Sequence, residues 1–200
     1  MEIFGGCRTY NGIDANADEG VNPQTKDGRG NLAPVTIILP KLAMLAAQKF
    51  NCEPKKCTEE AIGYFFELLN EKIEEARDSL IERFDLFCEQ DPKAGRFLYE
   101  NNLLLGYDGK TCFSALKHGT LAIGKLDIQT TLQILIGKDH TTEEGMELAK
   151  KIEKTFNTRC AEFKKALYSN ENHPEFGEYH LNFGNYNTPR MCGWRIGDYA

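Results

Sequence analysis

The apolar positions of this chain fall into two kinds of pattern. From Thr58 to about Gln90, the residues Leu69, Ile73, Ala76, Leu80, Phe84 and Phe87 recur at steps of three and four, with Glu, Lys and Arg opposite. That spacing predicts one long amphipathic helix, because side chains three and four apart share a face. A second such stripe, Ala149, Ile152, Phe156, Cys160, Phe163 and Leu167, follows Thr141-x-x-Glu144, which reads as a capping box. Shorter apolar runs behave differently. Pro34-Val35-Thr36-Ile37-Ile38-Leu39-Pro40 is rich in β-branched residues between two prolines and reads as a buried strand, followed by a helix from about Lys41 to Phe50. Gly119 to Gly124 reads as a second strand, Asp127 to Ile136 as a helix, and His180-Leu181-Asn182-Phe183-Gly184 as the start of a third strand. Gly106 to Gly109 marks a turn.

Strands separated by helical segments imply parallel pairing, since a parallel neighbour is reached only by crossing over the sheet face. The expected class is α/β, with long helices packed by one face on a barrel or an open sheet; three strands are too few to close. Residues 1 to 31 hold six of the eighteen glycines together with many Asn and Asp, which is the composition of a long loop. No linker or internal repeat divides the chain.

Composition narrows the functional classes. The 200 residues are 41% hydrophobic and 27% charged, which excludes collagen, coiled coil and general disorder. A net charge of −6 argues against a basic face for nucleic acid or for an anionic membrane. No apolar run approaches the length of a membrane span, and the opening residues lack a signal-peptide pattern. Seven cysteines, an odd count in a chain large enough to fold without staples, suggest reduced thiols in the cytoplasm. Cys52-x4-Cys57 has no second pair nearby in sequence to complete a zinc site.

Chemistry has few places to reside. Cys7 lies in Gly5-Gly6-Cys7-Arg8-Thr9, where flanking glycines allow close backbone approach and present a thiol at a loop tip. Asp27-Gly28-Arg29-Gly30-Asn31 has the look of an anion-approaching turn, yet it matches neither a P-loop nor a dinucleotide fingerprint, and an ordinary turn explains it equally. Asn187-Thr188-Pro189 offers a hydroxyl and backbone N–H groups to phosphate oxygens, or is a simple turn. His118, His140, His173 and His180 lack metalloprotease spacing, and there is no G-x-S-x-G. Of the four, His118 opens a strand and is placed to project from its end.

Together these segments resemble the anaerobic, glycyl-radical ribonucleoside-triphosphate reductases. The matching stretches are Gly6-Cys7-Arg8-Thr9, Gly28-Arg29-Gly30-Asn31 running into Pro34-Val35-Thr36-Ile37, and Leu39-Pro40-Lys41-Leu42-Ala43. Phe65-Phe66-Glu67-Leu68-Leu69 and Leu116-Lys117-His118-Gly119-Thr120-Leu121-Ala122-Ile123-Gly124 follow in the family's order, and the likeness runs from about Cys7 to Pro189.

The resemblance implies part of a ten-stranded α/β barrel with long outer helices. A finger loop would occupy about residues 1–31, strand-helix units about 32–186, and a terminal loop 187–200. Cys7 aligns with the finger-loop cysteine, whose thiyl radical takes hydrogen from the ribose 3′ carbon of a ribonucleoside triphosphate. Asn31 aligns with an asparagine that holds ribose hydroxyls, a task suited to a group with donors and an acceptor. Thr188 and Pro189 resemble the start of the Thr-Pro-Ala-Glu phosphate loop, with Arg190-Met191 in place of Ala-Glu. By resemblance the full system uses a glycyl radical, formate as reductant, and an activase with an iron–sulfur cluster and S-adenosylmethionine; none of these is expected to be bound by this segment. Arg190-Met191-Cys192-Gly193-Trp194 imperfectly echoes the family's Arg-x-Cys-Gly-Tyr radical motif, which we read as coincidence or the scar of a deletion. The family's N-terminal half and its four-cysteine zinc site are not in this sequence. A fragment or split segment, completed by the missing barrel half or by its own copies, is therefore expected. Another glycyl-radical enzyme of the formate-lyase type, or a non-catalytic assembly piece, are the alternatives.

Overall fold

The computed structural model describes residues 12–53 and 55–188, and of Asn187 and Thr188 only the backbone. Three strands, β1 (Val35–Ile38), β2 (Thr120–Leu126) and β3 (Asn182–Thr188), form one sheet in that order. Both pairings are parallel, with Val35 opposite Ile123 and Thr120 opposite Asn182. The crossovers are helical. Between β1 and β2 run α1 (Leu39–Lys49), α2 (Glu59–Cys88), α3 (Arg96–Glu100) and α4 (Cys112–Leu116); between β2 and β3 run α5 (Ile128–Leu135) and α6 (Glu143–Lys165). The class is α/β as expected. Among the described residues the sheet is open, with β1 and β3 at its edges.

The long helices form where the periodicity places them, but two residues expected in the apolar stripes, Phe87 and Leu167, are exposed, and Leu167 lies past the end of α6. In α2, Ala61, Phe65, Leu69, Ile73, Ala76, Leu80, Phe84 and Cys88 are buried, and Thr58 caps the first turn by accepting from the Ala61 N–H. Each large side chain in that stripe contributes about 1.5–3 kcal/mol by leaving water. In α6 the buried stripe is Ile152, Phe156, Cys160 and Phe163. The cap of α6 differs from the expected one: Thr142 accepts from the Gly145 N–H, whereas Thr141 is turned to Asp139. The reason is local competition, since the Asp139 carboxylate takes both the N–H and the hydroxyl of Thr141.

Two strands run longer than the sequence pattern marks. The second continues past Gly124 to Leu126, and the third runs to Thr188, so Asn187 and Thr188 belong to the sheet rather than to a terminal loop. Lys125 explains the first extension. Its side chain is only 1% exposed, yet its ammonium meets Glu153 at 2.8 Å and Asn185 at 2.7 Å and lies over the Phe156 ring. A buried lysine is tolerated when paired in this way.

The helices cover one face of the sheet. Ile37, Leu121, Ile123 and Phe183, whose side chains alternate onto that face, join the main apolar core with α1, α2 and α6. Thr36, Ala122, Gly124, Gly184 and Tyr186, on the opposite face, are not members of it. No helix among the described residues is long and apolar enough to cross a membrane.

Candidate functional site

Among the described residues no helix covers the other face, which carries Thr36, Ala122, Gly124, Gly184 and Tyr186, with Ile38 and Leu126 at one end. Register aligns Thr36 with Gly124 and Gly124 with Tyr186, Ala122 with Gly184, and Thr120 with Asn182. Because Gly124 has no side chain, the Tyr186 ring lies across β2 and its hydroxyl meets Thr36 Oγ1 at 2.7 Å. A Cβ at Gly124 would sit 2.3 Å from Tyr186 Cζ and 2.5 Å from Oη, so glycine is required there for the ring to lie flat. The result is a face on which the central strand is buried and two hydroxyls are held at a fixed place. Such a surface can hydrogen-bond a polyhydroxylated ligand without presenting a strong acid or base. Sequence reasoning missed Thr36 and Tyr186 as a pair because 150 residues separate them.

A second polar cluster lies at the N-terminal ends of the strands. His118 Nδ1 meets Asp14 Oδ2 at 2.7 Å, and Asn182 Nδ2 donates to Asp14 Oδ1 at 2.9 Å. Asn16 reaches both strand entries: its Nδ2 donates to the Lys117 and His180 carbonyls, each at 2.7 Å, and its Oδ1 accepts from the His180 N–H. Burial alone would push the Asp14 carboxyl up, but the bonds from His118, Asn182 and the Asn16 N–H hold it down at about 2. His118 Nε2 is buried and has no hydrogen-bond partner among the described residues. It faces Gly106, where a Cβ would come within 2.3 Å of it, and Gly106 has φ +71°. His118 therefore projects from its strand end as its position suggested, into a polar cluster with Asp14 and Asn182.

The expected site residues are distributed as follows. Cys7 lies outside the described residues, as do Pro189 and Arg190 to Trp194. Asn31 sits just before β1 and bridges Thr120 at the N-terminal end of β2. Thr188 ends β3 opposite Leu126, at the other end of β2. Six residue steps, about 20 Å at strand rise, separate these two levels, so the sheet does not bring Asn31 and Thr188 together. Arg29 is turned to backbone carbonyls. Its Nε donates to the His118 carbonyl at 2.6 Å, and Nη1 donates to the Gly12 and Thr25 carbonyls. The other histidines make peripheral contacts: His140 with Gln129, His173 with Glu175, and His180 with the Ala166 carbonyl.

Three thiols on the helical side, Cys57, Cys88 and Cys160, are made poor nucleophiles by burial. Burial, reinforced by Cys52, pushes Cys57 up to about 12, and burial pushes Cys160 up to about 11. Among the described residues, no three His, Cys, Asp or Glu side chains gather where they could hold a metal ion. What the described residues offer is thus a hydroxyl-bearing sheet face and a segment fastened beside it.

No curated protein matches this chain. The family model for anaerobic ribonucleoside-triphosphate reductase, however, matches residues 3–174, a span that takes in the Cys7 segment, β1, β2 and all six helices. With most of its length matched and its parallel α/β order in place, the chain belongs to the anaerobic ribonucleoside-triphosphate reductase family.

Proposed function

We propose that this chain supplies the finger-loop segment and adjoining strands of an anaerobic ribonucleoside-triphosphate reductase, and that Cys7 carries its transient thiyl radical. The family match carries this reading. The sheet face that no helix covers among the described residues supports it, because a parallel sheet normally has both faces covered, and this face is built largely of small residues. In this reading β1 to β3 are a segment of the ten-stranded barrel, and that face lines its interior beside Cys7. The thiyl sulfur takes a hydrogen atom from the ribose 3′ carbon, forming S–H and leaving a carbon-centred radical, and later returns it. The S–H and C–H bonds are near enough in strength for the hydrogen to pass both ways.

Asn31 is the candidate ligand for ribose hydroxyls and Thr188 for phosphate oxygens. Their separation along β2 means that they serve different parts of the nucleotide. The Thr36–Tyr186 hydroxyl pair adds a hydrogen-bonding point on the same face. Radical initiation and reducing equivalents come from beyond these residues, in the family's case from a glycyl radical set by an iron–sulfur, S-adenosylmethionine-dependent activase and from formate.

The test is nucleotide reduction by the anaerobically assembled, activated holoenzyme containing this chain. Cys7→Ala and Cys7→Ser should both abolish deoxyribonucleotide formation while leaving assembly intact, because neither methyl nor hydroxyl can replace S–H. Retained turnover in Cys7→Ala would overturn the assignment. The open edges of β1 and β3 favour a second reading, a non-catalytic assembly piece. Under it, Cys7→Ala would leave the assembled enzyme's turnover unchanged.

A further inference from the structure

The proposed function leaves the Cys52-x4-Cys57 pair without a task, yet the fold brings its two thiols into contact. We infer that Cys52 and Cys57 are a redox-active dithiol, closed to an intramolecular disulfide by exchange with low-molecular-weight disulfides and reopened by thiols. The inference is independent of the reading of Cys7.

The geometry is set by the turn between α1 and α2. Glu53 and Lys56 form an antiparallel bridge in which the Lys56 N–H donates to the Glu53 carbonyl at 3.1 Å. In an antiparallel ladder the position next to a hydrogen-bonded pair is a non-hydrogen-bonded one, with Cα atoms about 4.5 Å apart and side chains closest together. Cys52 and Cys57 flank the bridge at that position. Their backbone N–H groups accordingly point elsewhere, Cys52 to the Ala47 carbonyl at 3.0 Å and Cys57 to the Leu135 carbonyl at 2.8 Å. A Cα separation of about 4.5 Å lies within the span of a disulfide, about 4.4–6.8 Å. The two thiols already hydrogen-bond to each other, and both residues are half-buried, so a small disulfide can reach them. The end of α5 holds the turn in place. Cys57 Sγ donates to the Ile134 carbonyl at 3.8 Å, and Gly137, at φ +68°, packs so closely on Lys55 that a Cβ would lie 2.7 Å from its carbonyl oxygen.

The two thiols have different parts in the exchange. Burial and the neighbouring Cys52 push Cys57 up to about 12, so Cys57 keeps its proton and the reaction starts at Cys52. With glutathione disulfide, the Cys52 thiolate attacks one sulfur; a bond from Cys52 Sγ to that sulfur forms, the glutathione S–S bond breaks, and one glutathione leaves as the thiolate. Cys57 then gives up its proton and attacks Cys52 Sγ, which forms the Cys52–Cys57 bond and expels the second glutathione. Two electrons pass from the protein thiols to the glutathione disulfide, and the two thiol protons end on the two glutathione molecules. Proximity offsets the weak nucleophilicity of Cys57, because its target sulfur is already beside it. Oxidation consumes the S–H that Cys57 directs at Ile134, so the redox state is felt where the α1–α2 turn meets the C-terminal end of α5.

The experiment equilibrates the full chain in glutathione redox buffers, quenches with acid, alkylates the remaining thiols and digests with trypsin. Lys55 and Lys56 lie between the two cysteines, so after digestion only the disulfide joins their peptides, which mass spectrometry quantifies. The expected result is a Cys52–Cys57 disulfide whose effective molarity is at least about tenfold higher in the folded chain than in the chain unfolded in guanidinium chloride. Circular dichroism and protection of buried Cys88 and Cys160 from alkylation report folding. Cys57→Ser should accumulate a mixed disulfide of glutathione at Cys52, whereas Cys52→Ser should leave Cys57 unmodified. Equal effective molarities in the folded and unfolded chains would overturn the preorganised pair, as would oxidation that joins Cys52 or Cys57 to other cysteines instead. A mixed disulfide at Cys57 in Cys52→Ser, with none at Cys52 in Cys57→Ser, would overturn the assigned order of attack.

Discussion

At the scale of single residues, two positions make sharp demands. Gly124 has to be glycine because the Tyr186 ring occupies the space of a Cβ. Gly124→Ala should push the ring off β2, break the Thr36–Tyr186 bond and cost about 1–3 kcal/mol, measured by chemical denaturation. An unchanged midpoint would mean that the ring is not held there. Asp14 makes the other demand. Its folded value of about 2 lies below the 3.8 of an ordinary aspartate, so it stabilises the fold fully above about pH 4. That contribution disappears as the pH falls from about 4 towards 2. Asp14→Asn should accordingly lower the Tm at about pH 7 and flatten its decline between about pH 4 and 2. Parallel Tm profiles for the two proteins would place the acid sensitivity elsewhere.

At the scale of elements, the sequence was readable where one local rule dominated and opaque where a distant partner decided. The stripes of α2 and α6 were legible because a period near 3.6 repeats over many turns. The β1–α1 junction was also legible, with Pro40 in the first turn of the helix, where its missing N–H costs nothing. Lys125 was opaque, because its neutralising partners Glu153 and Asn185 are set beside it only by the fold. The Asp14–His118 contact was opaque for the same reason, spanning 104 positions. Within the candidate site, the segment after Cys7 reads as a loop from composition, but what fastens it cannot be inferred before β2 and β3 are side by side. The cap of α6 shows how fine such competition is. Thr142→Ala should cost about 1 kcal/mol, since it leaves the Gly145 N–H without its acceptor, and Thr141→Ala should cost less. The reverse order in thermal melts would restore Thr141 as the cap.

At the scale of the molecule, the decisive feature is an unfinished sheet. Among the described residues the three-stranded parallel sheet has two open edges and one face without helices, which leaves edge N–H and C=O groups for pairing with other chains. The β1 edge is especially receptive. Its four residues Val35–Ile38 are β-branched, uncharged and free of proline, and Ile38 at its end is 44% exposed. Charge and proline, two of the usual devices that blunt an edge, are absent from that strand. The net charge of −6 opposes self-association only at long range and is screened within about 8–10 Å at ordinary ionic strength. Edge pairing should therefore prevail as concentration rises. Light scattering behind gel filtration should give masses above 22.6 kDa that grow with loading concentration. Ile38→Lys, which places a charge at the edge without touching the core, should shift the chain towards the monomer. If a larger chain of the reductase fills the same edge, adding it should suppress self-association in the unmodified protein and give one stoichiometric complex. A concentration-independent monomer with a cooperative, reversible melt would instead mean that the edges are closed, and the partial-barrel reading would fail with them.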